Sequence, residues 1–361
     1  MWTLWIAIGA CAYILLYLSR TQLYAPMESE LTFARGKVTL LVCLHNEASE
    51  IDAFIEAILE QEYQDKQLLL VDDRSTDESL AILKKWEAAY PEVIKVLHLD
   101  QKKIAGKKGA VKAALPYIKG EYLLFTDVDC RPNSPYWINY MIAPLQLDNI
   151  EVTLGVVLVK SPLNLWGMFR RFQSFWKSIQ FLGFAQRRWA YMAMGGNWAV
   201  QTDRYLQNEN IEEHAELASG DDDLVFQALN ANSGTEVILD PKSWVKTKEK
   251  GGFFQNMRQR GRHMSTYKAY KWKWNLLLLS APVVMLVGII CIFLLLSRYP
   301  LVAMLLITIY YISALRVMAA SAKVIPAGFS IFLAPLLLPF EFLLQGIGFL
   351  VTLSRNQSNW S

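Results

Sequence analysis

The chain has 361 residues, of which 53% are hydrophobic and 19% charged, with a mean hydropathy of +0.20. That is too apolar for an ordinary soluble protein, so charge and hydrophobicity must sit in different segments. A formal net charge of +3 with no basic arm argues against a nucleic-acid partner. The four cysteines, Cys11, Cys43, Cys130 and Cys291, lack Cys-x-x-Cys spacing, which argues against a disulfide framework or a zinc site and suits a reducing compartment.

Residues 1–19 carry no charge and no basic leader or small-residue cleavage site, so they are expected to form an uncleaved transmembrane anchor. Residues 20–274 hold most of the charge. There Lys37–Leu44 reads as a buried parallel strand with His45-Asn46-Glu47 at its carboxyl end, and Ile51–Gln61 has helical spacing. Gln67–Val71 is a second strand, ended by Asp72-Asp73-Arg74-Ser75-Thr76-Asp77, where Ser75 or Asp77 is placed to cap a helix starting near Glu78. Val93–Leu97 is a third strand. Gly106-Lys107-Lys108-Gly109 is expected to precede a short helix, and Tyr122–Phe125 is a fourth strand. This alternation predicts an α/β domain with a mostly parallel central sheet, whose ligands bind outside the carboxyl ends of the strands.

The fourth strand runs into Thr126-Asp127-Val128-Asp129. Two carboxylates two residues apart at a strand end suit a hard divalent cation shared with phosphate oxygens. Successive strand residues point to opposite faces, so the chain must turn after Asp127 for both to reach one ion. Arg131-Pro132-Asn133 is expected to supply that turn. Further on, residues 163–194 mix aromatics with Arg170, Arg171, Lys177, Arg187 and Arg188, as in a helix at a membrane surface or, alternatively, one in a core.

Residues 275–355 are apolar again and hold two to three expected transmembrane helices. Asn275–Ser297 and Tyr299–Leu315 are spans, and Val324–Ser354 is interrupted by Pro326, Pro335, Pro339 and Glu341. Arg20, Arg35 and Lys37 follow the first apolar segment, Arg258 to Lys273 precede the second, and Arg316 and Lys323 lie in the next connection on the same side. Only Arg298 and Arg355 oppose them, so residues 20–274 are expected in the cytoplasm.

Seven segments, VCLHNE at 42–47, VDDRSTDES at 71–79, GKKGA at 106–110, TDVD at 126–129, GGNWAV at 195–200, SGDDDLVFQAL at 219–229 and RQRGRH at 258–263, together resemble the inverting family 2 glycosyltransferases. With the flanking apolar segments the chain is similar to their membrane-bound branch, which includes cellulose, hyaluronan and poly-N-acetylglucosamine synthases. The resemblance implies a GT-A nucleotide-sugar fold in an integral protein of the bacterial inner membrane. It implies Mn²⁺ or Mg²⁺ on Asp127 and Asp129, and a nucleotide site made of Asn46, Glu47, Asp72, Asp73, Lys107 and Asp127. It also implies a donor and acceptor pocket at Gly195, Gly196 and Asn197, and a catalytic base at Asp221, with Asp222 left open. Gln259 and Arg262 correspond to a diphosphate-contacting motif, and His263 replaces that motif's tryptophan, which weakens the processive reading. The implied partners are a UDP-linked sugar, a lipid or saccharide acceptor and the membrane. The alternatives are a processive polysaccharide synthase or an inactive nucleotide-sugar-binding membrane protein.

Overall fold

The computed structural model describes residues 2–25, 33–101, 104, 106–207, 220, 222–229, 234–248 and 252–354, with the backbone alone at 253–254, 258, 262–263, 268 and 349–354. In chain order the elements begin with helix α1 (Trp2–Thr21), then β1 (Val38–Leu44), α2 (Ala48–Leu59), β2 (Lys66–Asp72), α3 (Ser79–Ala89) and β3 (Ile94–His98). Next come α4 (Gly106–Ala114), β4 (Tyr122–Phe125), β5 (Arg131–Pro132), α5 (Trp137–Ile142), β6 (Val152–Leu154) and β7 (Val157–Lys160). They are followed by α6 (Leu165–Gln186), β8 (Trp198–Gln201), α7 (Thr202–Leu206), α8 (Asp223–Leu229), β9 (Thr235–Val237) and β10 (Val245–Lys248). The last four are α9 (Phe253–Ser265), α10 (Trp272–Arg298), α11 (Pro300–Ala322) and α12 (Ala334–Ser354). They fall into two compact units, one containing Pro26–Lys160 and Arg188–Lys250, the other Met1–Ala25, Ser161–Arg187 and Gly251–Asn356.

The α/β unit is built on a sheet ordered β3-β2-β1-β4-β8-β6-β9. The four strands β3, β2, β1 and β4 are parallel, β8 runs antiparallel to both its neighbours, and β6 and β9 are parallel. β1 and β2 read as unbroken apolar runs because both faces of a central parallel strand are covered. Leu40, Val42, Leu68 and Leu70 meet Phe54 and Ile58 of α2 and Trp137 and Met141 of α5 in one core. α2 presents Ile51, Phe54, Ile55 and Ile58, the i, i+3, i+4, i+7 stripe of an amphipathic helix. Burying each such side chain is worth about 1.5–3 kcal/mol. β1 has β2 on one side and β4 on the other, so a crevice opens outside their carboxyl ends, where the strand order reverses. A small second sheet, β5-β10-β7, flanks this unit's metal-motif strand end.

Among the described residues, the helical unit holds four helices long and apolar enough to cross a membrane, α1, α10, α11 and the Ile331–Gly348 stretch that enters α12. Leu286, Phe293, Leu301 and Met304 are exposed on α10 and α11, the surface that lipid suits. The third C-terminal helix forms despite its prolines, because Pro335 falls in the first turn of α12, where its missing N–H costs nothing, and only Pro339 is interior. α6 is shorter than the aromatic stretch around it and is mostly buried. Its Gly183 lies against the Thr21 backbone of α1, Gln180 donates to the Tyr17 hydroxyl at 2.8 Å, and Trp176 meets Phe342 of α12 edge-on. Residues 161–187, placed by sequence within the charged domain, thus pack among the apolar helices.

Candidate active site at the strand ends

The register of β4 against β8 assembles the core of the site. Phe125 pairs with Trp198 and the two rings stack at 4.4 Å, so Gly195-Gly196-Asn197 runs beside Thr126-Asp127. Thr126 Oγ1 donates to the Gly196 carbonyl at 2.9 Å. A Cβ on Gly196 would stand 3.1 Å from Cys130 Sγ and 3.7 Å from Asp127 Oδ2, and one on Gly195 would collide with the Asp222 carboxylate. The two glycines therefore let the metal motif and the acidic run close on one backbone turn.

The turn after Asp127 is made by Val128-Asp129 itself, with Cys130 N–H donating to the Asp127 carbonyl at 2.9 Å. Arg131-Pro132, expected to make it, is instead the short strand β5, paired with β10. The tight turn brings ligand atoms of Asp127, Asp129 and Cys130 within 4.8 Å of one another. Two carboxylates suit a hard oxygen-seeking ion. Burial, with Asp127 and Asp129 alongside, pushes the Cys130 thiol well up. Lys107 Nζ donates to Asp127 Oδ1 at 2.8 Å, so this carboxylate already receives a cation. Gly106 to Gly109, expected ahead of a helix, form the first turn of α4, which is how Lys107 reaches the β4 end.

The nucleotide candidates lie at the ends of β1 and β2. Asp72 is fully buried; its Oδ2 accepts from His98 Nδ1 at 2.7 Å, while His98 Nε2 donates to Asp100 at 2.9 Å. The Asp72 hydrogen bond leads the effects that raise His98 above its usual range, with Asp100 adding to it. Asp73 is also fully buried, and Arg74, in the left-handed region at φ 61, lays Nε on Asp73 Oδ1 at 3.1 Å. His45 Nδ1 donates to the Asp73 carbonyl at 2.8 Å. Asn46 stitches two loops together: its N–H donates to Ser75 Oγ at 2.9 Å and its Oδ1 accepts from Thr76 N–H at 2.7 Å. Asp77 caps twice, accepting from Ser79 N–H and Ala48 N–H, and Glu47 N–H donates to Ser79 Oγ. Glu47 itself is half-buried at the head of α2.

Asn197 is spent on the scaffold: its Oδ1 accepts from Trp137 Nε1, and its Nδ2 donates to the Val156 and Ser243 carbonyls. Asp222 accepts from Trp198 Nε1 at 3.4 Å and precedes α8, whose first residue, Asp223, accepts from Leu224 N–H. Asp221, and the side chains of Arg262 and His263, lie outside the described residues; Gln259 is exposed on α9. Sequence reasoning passed over His98, to which the β2–β3 pairing brings Asp72; Lys108, for which a solvated loop position was open, is buried.

Residues 39–208 match the family described as glycosyl transferase family 2. It is 33% identical over 93 residues to a cholesterol galactosyltransferase of Borreliella burgdorferi, covering 26% of this chain and 25% of that protein. It is 21% identical over 117 residues to a processive diacylglycerol β-glycosyltransferase of Mycoplasma pneumoniae, covering 32% of this chain and 34% of that one. The chain thus spans about a quarter to a third of the length of these relatives. Among solved structures it is similar to a mannosyltransferase from Pyrobaculum calidifontis in complex with GDP-Man and Mn²⁺, with a TM-score of 0.60 at 18% identity, covering 94% of this chain and 99% of that one. The fold is GT-A-like, an α/β domain with a mostly parallel sheet, accompanied by one N-terminal and three C-terminal apolar helices.

Proposed function

We propose that the protein is a membrane-bound glycosyltransferase that moves one sugar from a nucleoside diphosphate donor, UDP-linked, to a lipid acceptor, with inversion at the anomeric carbon. The observation that carries this reading is the meeting of Asp127, Asp129, Lys107 and the Gly195-Gly196 turn, beside Asp222, at the carboxyl ends of the sheet. Asp127 and Asp129 hold the Mn²⁺ or Mg²⁺, which when bound supplies a Lewis acid for the departing diphosphate. Lys107, on Asp127 without donor, adds a second positive charge for the phosphates. Glu47 and Asp73 take the nucleoside hydroxyls or base N–H, which requires Arg74 to leave Asp73; Asn46 and Asp72 hold the two loops in place. Gly195 and Gly196 let the backbone approach the sugar. Asp221 removes the acceptor proton as the hydroxyl attacks, and Asp222, held by Trp198, keeps the run in place. Gln259 and Arg262 of α9 are assigned to the diphosphate and His263 to the acceptor.

A lipid acceptor is favoured by the four apolar helices and by the lipids named for both relatives. The basic residues beside the apolar segments favour a cytoplasmic catalytic domain. The test compares Asp221→Asn with Asp222→Asn in detergent-solubilised protein. Asp221→Asn abolishes transfer and leaves nucleotide affinity intact by calorimetry, while Asp222→Asn keeps measurable turnover. Full turnover in Asp221→Asn would take the base away from this position.

A further inference from the structure

Lys107 and Lys108 are neighbours on the first turn of α4, yet they serve different partners. Residues one apart on a helix point about 100° from each other. Lys107 goes to Asp127 at 2.8 Å. Lys108 is buried, only 7% exposed, and its Nζ lies 3.3 Å from where a Cβ on Gly220 would stand. A buried ammonium is costly unless anionic or carbonyl oxygens surround it. Here it is set at the head of the acidic run that continues through Asp222 and Asp223. Gly220 has φ +98, and the same Cβ would come within 2.6 Å of Leu224 Cδ1, so this glycine is wedged between the lysine head and the first turn of α8. At φ +98 an L side chain would be strained here whatever the space.

We propose that Lys108 is a positioning residue that holds the Gly220 end of the acidic run against α4. One helix turn then serves both halves of the reaction: Lys107 faces the phosphate side through Asp127, and Lys108 fixes the proton-accepting side. The inference rests on the transferase reading above for its catalytic consequence, but the hold itself is a property of the fold.

The test uses the full chain in detergent, with Lys108→Gln and Lys108→Arg. Lys108→Gln lowers kcat about tenfold or more, with donor KM and Mn²⁺-dependent nucleotide affinity within about twofold of the parent. Lys108→Arg, which keeps the charge, recovers most of the kcat. Hydrogen–deuterium exchange gives a reading independent of turnover: amides in peptides covering 220–229 exchange faster in Lys108→Gln while those of α2 and β1 do not change. Unchanged exchange at 220–229 would overturn the proposal whatever the kinetics. A parallel loss of nucleotide affinity would overturn it too, by making Lys108 a phosphate ligand. If the parent protein transfers no sugar, the transferase reading fails, and the exchange comparison still decides whether Lys108 holds the run.

Discussion

His98 shows how a residue distant in sequence, Asp72, and a near one, Asp100, set the chemistry of a third. It lies on β3 between the buried Asp72 and the exposed Asp100, donating to both when protonated. A raised folded-state pKa means that this link contributes fully below the ordinary histidine value of 6.5 and is lost as pH rises through the folded value. With only four histidines in the chain, an NMR titration can resolve this one. The midpoint is expected above 6.5 and should drop toward it in Asp72→Asn; a parent midpoint at or below 6.5 would contradict the geometry. Individual residues were legible in the sequence as types but not as roles. The spacing of Asp127 and Asp129 suggested a metal site, and the tight turn does bring their carboxylates together. Asn197 shared a segment with the pocket glycines, yet its amide serves Trp137, Val156 and Ser243, partners that only the packed sheet brings together.

At the scale of elements, the parallel strands stood out because continuous apolar runs ending in polar loops are what buried central strands require; Tyr122–Phe125 matches β4 residue for residue. The short strands β6, β8 and β9 were not legible, since three or four residues that mix polar and apolar side chains make neither an apolar run nor a readable period. The placement of β8 next to β4 comes from pairing register, not from local sequence. α6 shows the same limit. Its aromatic and basic composition fits a membrane surface, and its contacts are with the C-terminal half of α1 and the N-terminal half of α12, the ends that the basic residues assign to one side. At that level Glu341 is buried and takes a two-pronged hydrogen bond from Arg260 of α9, at 2.7 and 3.1 Å, and a third from Gln173 of α6 at 2.7 Å. Removing one partner of such a pair strands the other charge. Glu341→Ala should therefore destabilise the protein by about 3–5 kcal/mol, read as a fall in the detergent melting temperature. Glu341→Leu combined with Arg260→Met should recover much of that loss; equal melting temperatures for Glu341→Ala and parent would remove the network from the account.

The whole chain joins a GT-A-like α/β domain to helices long and apolar enough to cross a membrane. Its composition already required that division, because 53% hydrophobic residues and 19% charged residues do not fit one soluble core. Composition did not show that residues 161–187 belong with the apolar helices, because their aromatic and charged residues suit either setting. The proposed lipid-directed transferase would make use of both parts: the strand ends would hold the donor, and the apolar helices would keep the protein where a lipid acceptor is found. The most direct test is nucleoside diphosphate release by the purified protein in detergent, with Mn²⁺, a panel of UDP-sugars and GDP-mannose, and membrane lipid extract, followed by mass analysis of the product. The account predicts lipid-dependent release with one donor and a product one sugar heavier than its acceptor, lost in Asp127→Ala. A ladder of products would contradict single transfer, and tight nucleotide binding with no release from any donor would contradict the transferase itself.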